Sequence, residues 1–280
     1  MSSDVLGCHR VDRAPTWLRS SVYRSRRSFR QPWNLSFMTG AIDVLRSHRS
    51  IRRFKPEPIP EEDLLRAVEA GQQAATSSNI QGYCAIRVTD PMVRATLVPL
   101  TGGQAKVASA PLFLAICGDT RRHRLLAARE GTDYQPNLEG FMLAVIDATL
   151  FAQNMVMAFE SMGYGTCYIG GLREDLPAVH EVLRTPKGVW PLFGLCVGRP
   201  DQDPERRPRL KTDAVLFDDG YPKDEDILAS IDDYDRVMHD WYRSNGIDTP
   251  DWSARIRQHF EEKRRTSNAA WYLGAGASFE

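Results

Sequence analysis

Between Leu138 and Met162 the chain carries a run that is apolar on nearly every side. At helical geometry it makes about seven turns. A helix with no polar face has to be covered, so the spacing predicts a buried central helix that the rest of the chain must wrap. Asp147, Gln153 and Asn154 interrupt the run, which argues against a membrane span. Gly163-Tyr164-Gly165 ends it.

The flanking sequence alternates strand and helix signals. Upstream, a short helix follows Met38, and Lys55-Pro56-Glu57-Pro58-Ile59-Pro60 excludes helix because proline removes donors and fixes φ. Pro60 opens a helix with Glu61, Glu62 and Asp63 in its first turn, where acids suit the dipole. Cys84 to Thr89 alternates as a strand does. Asp90-Pro91 reads as an N-cap followed by proline at the first helical position, and that helix ends at Thr101-Gly102-Gly103-Gln104. Pro111 to Cys117 is apolar enough for a central strand, and Asp119 to Glu130 is a basic helix. Downstream come a short strand at Thr166 to Ile169, a helix over Asp175 to Leu183, and a strand from Trp190 to Val197. Arg199 to Thr212 is a Pro-rich charged loop. Amphipathic helices are expected over Asp224 to Ser244 and Ser253 to Arg265, while Ala269 to Glu280 carries no clear signal. Long helices around a modest number of strands mean an α+β or α/β sheet wrapped by helices.

The first 37 residues differ from the rest. They hold Arg10, Arg13, Arg19, Arg24, Arg26, Arg27 and Arg30, many serines, and only Asp4 and Asp12 as acids. With no apolar h-region they are not a secretory signal. The composition is shared with organellar transit peptides, but the expectation is a disordered Arg/Ser-rich extension over 1–37, ahead of a second plausible start at Met38. Residues 38–280 are then a single domain. Lys+Arg and Asp+Glu both number 36, a balance that gives no support to a general nucleic-acid binder. Five cysteines without a CxxC pair read as free thiols in a reducing cytosol. The six histidines are scattered, so neither a metal site nor a Ser-His hydrolase has support. Gly163-x-Gly165 follows a helix instead of a strand, which excludes a Rossmann turn.

His48-Arg49-Ser50-Ile51-Arg52-Arg53-Phe54 concentrates three guanidinium groups, an imidazole and a hydroxyl. Arginine forks suit phosphate or carboxylate better than lysines do, although a solvated basic face reads from the same residues. Arg206-Arg207-Pro208-Arg209 offers a second basic fork or another solvated loop. Gly170-Gly171 at a strand end permits close backbone approach to a flat ligand or makes an ordinary turn. Gln104 brings an amide that donates and accepts, behind glycines that also serve as a plain C-cap. Together these supply what one flavin mononucleotide needs.

In order along the chain, His48-Arg49-Ser50-Ile51-Arg52, Thr76-Ser77-Ser78-Asn79-Ile80-Gln81, Thr101-Gly102-Gly103-Gln104, Tyr168-Ile169-Gly170-Gly171-Leu172, Pro191 to Gly198 and Arg207-Pro208-Arg209-Leu210 resemble the NADPH-dependent, oxygen-insensitive nitroreductase and flavin reductase family. The resemblance runs from about Ala41 to about Arg265. It implies an α+β fold with a central, mostly antiparallel sheet wrapped by helices, in an intertwined homodimer with FMN at the subunit interface. Its motifs map FMN binding onto His48, Arg49, Ser50, Arg52, Ser77, Ser78, Gln81, Gln104, Tyr168, Ile169, Gly170, Gly171, Arg207 and Arg209. The family often has lysine where Arg207 stands. Arg243 falls where the family contacts the 2′-phosphate of NADPH. The further basic residues often found just after it are absent here, where the chain reads Gly246-Ile247-Asp248.

The implied activity is a cytoplasmic, FMN-dependent NADPH oxidoreductase working in two half-reactions at one site. NADPH gives hydride, and a nitroaromatic, quinone or free flavin then takes the electrons, with no side-chain nucleophile, no nucleic acid and no membrane involved. A dedicated flavin or disulfide reductase is the alternative within enzymes. Outside them stands a non-catalytic binder of phosphate ligands or nucleic acid that uses Arg10 to Arg30 as an arm.

Overall fold

Among the described residues, three helices start at a side-chain cap, supplied by Asp90, Asn137 and Asp175. The computed structural model describes residues 38–280. Helix α1 spans Met38–Ser47, and α2 (Glu61–Gln72) enters through Pro60 with Glu61, Glu62 and Asp63 in its first turn. Strand β1 is Tyr83–Arg87, two residues shorter at its C-terminal end than the alternation predicts. Helix α3 (Pro91–Leu100) is capped by Asp90, whose carboxylate accepts from Met92 N–H. After the short α4 (Lys106–Ser109) come β2 (Leu112–Asp119) and α5 (Arg121–Arg129). Asn137 caps α6 (Leu138–Ser161) by accepting from Gly140 N–H. Strand β3 (Gly165–Ile169) leads into a 3-10 turn at Gly170–Arg173, and Asp175 caps α7 (Leu176–Leu183) through Ala178 N–H. Then follow β4 (Val189–Gly198), α8 (Asp224–Ser244), α9 (Trp252–Glu261) and α10 (Asn268–Gly274).

The four strands form one antiparallel sheet in the order β1-β2-β4-β3. Successive side chains point to opposite faces, so β2 feeds two cores. Leu114 and Ile116 join Leu195 and Val197 against Ala148, Phe151, Met155 and Phe159 of α6. Phe113 and Ala115 join Ile169 and Cys196 against Leu97 of α3, Val107 of α4 and Val179 of α7. Asp147, which reads as an interruption of the apolar run, is buried and accepts from Gly82 N–H at 2.9 Å. It ties the middle of α6 to the approach of β1. Gly71 lets α2 lie close to α6, since a Cβ there would fall 2.7 Å from Met155 and Phe151 side-chain atoms.

Two expectations need correction. Within one chain α6 is not covered all round: Leu138, Met142, Ile146 and Leu150, spaced four apart, are 39–46% exposed. The sheet and α2 cover the other side of the helix, and the described residues leave this stripe largely open. α6 is long and apolar enough to cross a membrane by composition, yet its buried side is part of the sheet core. The second correction concerns the C-terminal region. α9 stops at Glu261, short of Arg265, and the tail read as featureless forms α10, where Tyr272 packs with Leu176 and Trp190. Residues 1–37, including the arginines of the first segment, lie outside the described residues.

Candidate functional site

β3 is an edge strand, and the arginine run lies along its open side. Ser50 makes a parallel bridge to Thr166, and Ile51 N–H donates to Thr166 O at 2.8 Å. Ile51 is buried, which anchors the segment while its neighbours face outward. The same segment is zipped to the chain leaving β4, through Lys55 N–H to Arg199 O at 2.9 Å and Asp201 N–H to Arg53 O at 3.0 Å. That pairing brings two basic runs, 150 residues apart in sequence, to one place.

The result is a cavity of about 280 Å³ whose walls include His48, Arg49, Ser50, Arg52, Arg207 and Arg209. Arg49 is paired with Asp203 at 2.5 Å. Arg207 lies over the Trp241 ring at 5.4 Å. Among the described residues, Arg52, Arg207 and Arg209 have no carboxylate within ion-pair distance. Exposed guanidinium groups gathered around one hollow and left unneutralised are an anion site in waiting.

Further along β3 the predicted glycine pair appears, roughly 13 Å from the Ser50 bridge at strand rise. Gly171 faces the turn after α3, because a Cβ on it would lie 2.3 Å from Thr101 O and 2.5 Å from Gln104 Nε2. Its small size is thus required by the Thr101–Gln104 turn, whatever its backbone faces. Gly170 is open, its nearest such neighbour 3.7 Å away. Gln104 donates from Nε2 to Thr101 O at 2.7 Å, which orients its amide next to the glycines.

Tyr168 is half-exposed on β3, edge-on to Phe193, with its hydroxyl 3.3 Å from Gln153 Oε1. Burial, and then Glu160, push that hydroxyl well above the ordinary phenol range. Ile169 is fully buried in the core beneath. Strand alternation turns its side chain inward, which leaves its backbone on the strand edge. Burial likewise raises the Cys167 thiol, with Arg52 close enough to oppose the shift.

Ser77, Ser78 and Gln81 do not join this group in one chain. They precede β1, the opposite edge of the sheet, three strand spacings or roughly 14 Å across. Ser78, Asn79 and Gln81 all have left-handed backbones, with φ of 49°, 57° and 53°. Such strain in non-glycine residues persists only where surroundings hold it, and here His123 Nε2 sits 2.9 Å from Ile80 O. Arg243 is exposed at the end of α8, between Trp241 and Ile247, which both line the arginine cavity. Those two wall residues escaped sequence reasoning. The available signal was an aromatic one turn from the end of an amphipathic helix, beside a glycine-containing loop. No cluster of His, Cys, Asp or Glu able to hold a metal occurs among the described residues.

The chain matches the nitroreductase family over residues 45–199 and the nitroreductase family C-terminal domain over 207–275. It is similar to the FMN reductase (NADPH) of Bacillus subtilis, 40% identical over 82% of this chain and 94% of the relative. The oxygen-insensitive NADPH nitroreductase of Salmonella typhimurium is 39% identical over 81% of this chain and 94% of its own length. Among solved structures, a nitroreductase from B. subtilis aligns with a TM-score of 0.82 at 39% identity, covering 85% of this chain and 98% of that one. The NADPH:FMN oxidoreductase of Vibrio harveyi, solved with NAD+, aligns at 0.79 with 34% identity, covering 86% and 100%. With its motifs, its sheet and both family domains in register, the chain belongs to the nitroreductase family.

Proposed function

We infer that the protein is an FMN-dependent NADPH oxidoreductase of the nitroreductase and flavin reductase type. The observation that carries this is the arginine cavity, in which two basic runs distant in sequence converge on the edge of β3. The donor set fits the cofactor: guanidinium forks, the Ser50 hydroxyl and His48 suit a phosphate. The Gln104 amide and the open backbone at Gly170 suit the edge and face of a planar ring. Bound there, FMN supplies a two-electron hydride relay that serves a donor and an acceptor in turn.

The protein's own residues bind and orient. Arg52, Arg207 and Arg209 supply positive charge, the Ser50–Thr166 bridge fixes where it lies, and the Thr101–Gln104 turn holds the amide in place. Arg243 is the cation for the 2′-phosphate of NADPH. The acceptors are small oxidised aromatics: nitroaromatics, quinones and free flavins. The folded domain is 38–280, and the free thiols of Cys84, Cys117, Cys167 and Cys196 suit a reducing cytoplasm.

The working unit is a homodimer. The stripe of Leu138, Met142, Ile146 and Leu150, with Ile42 and Leu45 of α1 also exposed, is a contiguous kind of apolar surface that marks an interface. A second copy would also bring a Ser77–Gln81 loop to a β3 edge that its own chain cannot reach. Purified protein should be yellow, should release FMN on denaturation, and should consume NADPH with an acceptor panel. Colourless protein that neither takes up added FMN nor oxidises NADPH would defeat the reading.

A further inference from the structure

The last turn of α6 presents a carboxylate that the flavin reading leaves without a task. Glu160 has its side chain 13% exposed, and its Oε1 lies 2.7 Å from Nδ1 of His48. The same oxygen accepts from the Thr166 hydroxyl at 2.7 Å. Thr166 is fully buried, and its carbonyl receives Ile51 N–H. One carboxylate oxygen therefore joins α6, β3 and the first residue of the arginine run. His48 stands between two hollows, one lined by Glu160, Tyr164 and Gly165 and the other by the arginines.

An ionised carboxylate only accepts, so the proton in the contact with Glu160 belongs to Nδ1. The neutral His48 ring then carries its lone pair on Nε2, and only the imidazolium donates from that atom. A fully ionised phosphate offers acceptors and no donor, so it matches the imidazolium and opposes the neutral ring in this tautomer.

We propose that Glu160 is a positioning residue for the flavin nucleotide: it locks His48 with Nδ1–H bound and Nε2 free, and thereby makes the anion affinity of the arginine cavity depend on the charge of the ring. This rests on the reading of that cavity as the FMN phosphate site. The other charged groups around His48 are Arg49 and Arg52 on its own segment, and Asp203, Glu205, Arg207 and Arg209 on the loop after β4. β3 and its approach contribute the Tyr164 and Tyr168 hydroxyls, and the α8 region contributes the uncharged Trp241 and Ile247. All of these, and the phosphate itself, are common to wild type and to a Glu160 variant, so their titration cancels in a ratio.

The test is FMN affinity of the flavin-stripped protein, read by flavin fluorescence at about pH 5.5 and about pH 8, for wild type, Glu160→Gln, His48→Ala and the double variant. Glutamine keeps the volume, and with its NH2 where Oε1 stood it donates both to Nδ1 and to the Thr166 oxygen, reversing the two contacts of that atom and moving the neutral-ring proton to Nε2. The ratio of wild-type to Glu160→Gln affinity should fall about tenfold from the lower to the higher pH, the size of one charge-assisted hydrogen bond. Glu160→Gln should change nothing further in the His48→Ala background. A ratio that does not move with pH, or an equal effect without His48, overturns the proposal. Nitrogen-15 NMR of the wild-type His48 ring gives a measure independent of any variant: the neutral ring should be Nδ1-protonated, and an Nε2-protonated ring overturns the assignment. Failure of wild type to bind FMN at either pH would instead overturn the reading of the cavity.

Discussion

Arg52 and Gly171 sit at the two ends of the same strand edge and do opposite work. Arg52 is exposed and, among the described residues, has no acid partner, so removing it leaves the fold untouched and costs only its ligand. A charged hydrogen bond to phosphate contributes roughly 1.5–3 kcal/mol. Arg52→Ala should therefore weaken FMN binding by about tenfold or more with the melting temperature of the flavin-free protein unchanged; flavin fully retained through dialysis would contradict this. Gly171→Ala is the reverse case. Its Cβ would press on the Thr101 carbonyl, which is backbone and cannot swing away. Overpacking of this kind costs about 1–3 kcal/mol, so the flavin-free variant should melt several degrees lower, while Gly170→Ala, with open space around it, should not. Equal melting of the two variants would show that the Thr101–Gln104 turn yields. The glycine pair was legible in the sequence. The difference between its members was not, because it depends on a turn some 70 residues away in the chain.

Elements with strong periodicity were legible in the same way. Helices α2, α3, α6 and α8 lie where caps, proline and apolar spacing put them, because each signal acts within one or two turns. α10 was invisible because it is short, and it is held by partners elsewhere, Phe141 on α6 and Trp190 on β4, with Arg265 just ahead of it pairing with Glu174 at 2.5 Å. The Arg265 guanidinium holds the Glu174 carboxyl below the usual carboxylate range. A carboxyl depressed in the folded state stabilises above its unfolded pKa, and that stability is lost as pH falls through the folded value. Glu174 is about a third exposed, so screening leaves less than about 1 kcal/mol. Glu174→Gln should lower the denaturant midpoint slightly at pH 7 and not at all near pH 3; a loss that persists in acid would mean packing, not charge. At the end of α8, Arg243→Ala should raise KM for NADPH by roughly five- to thirtyfold, the equivalent of about 1–2 kcal/mol for a screened arginine–phosphate contact. It should leave NADH kinetics and FMN content alone. Equal losses with both nucleotides would show that Arg243 does not read the 2′-phosphate.

At the scale of the whole molecule, the site residues read from the sequence are divided between the two edge strands of one sheet, roughly 14 Å apart. The motifs were legible as a set because their order along the chain is a one-dimensional signal. Their division between β3 and the approach to β1 was not, because it follows from the strand order β1-β2-β4-β3. The exposed stripe on α6 offers the physical remedy. Leu138, Met142, Ile146 and Leu150 lie on one line of a helix, a surface that two copies can bury against each other about a two-fold axis. Burying a lone carboxylate in such a seam costs several kcal/mol, whereas in the isolated chain the same position faces water at no comparable cost. Ile146→Glu should therefore convert a dimer to a folded monomer, measured as mass in solution at micromolar concentration. If the Ser77–Gln81 loop reaches the cofactor only from the second copy, that monomer should also lose FMN, although every arginine of the cavity is intact. A monomer that keeps its flavin would confine the site to one chain and leave the strained Ser78–Gln81 loop without a role in it.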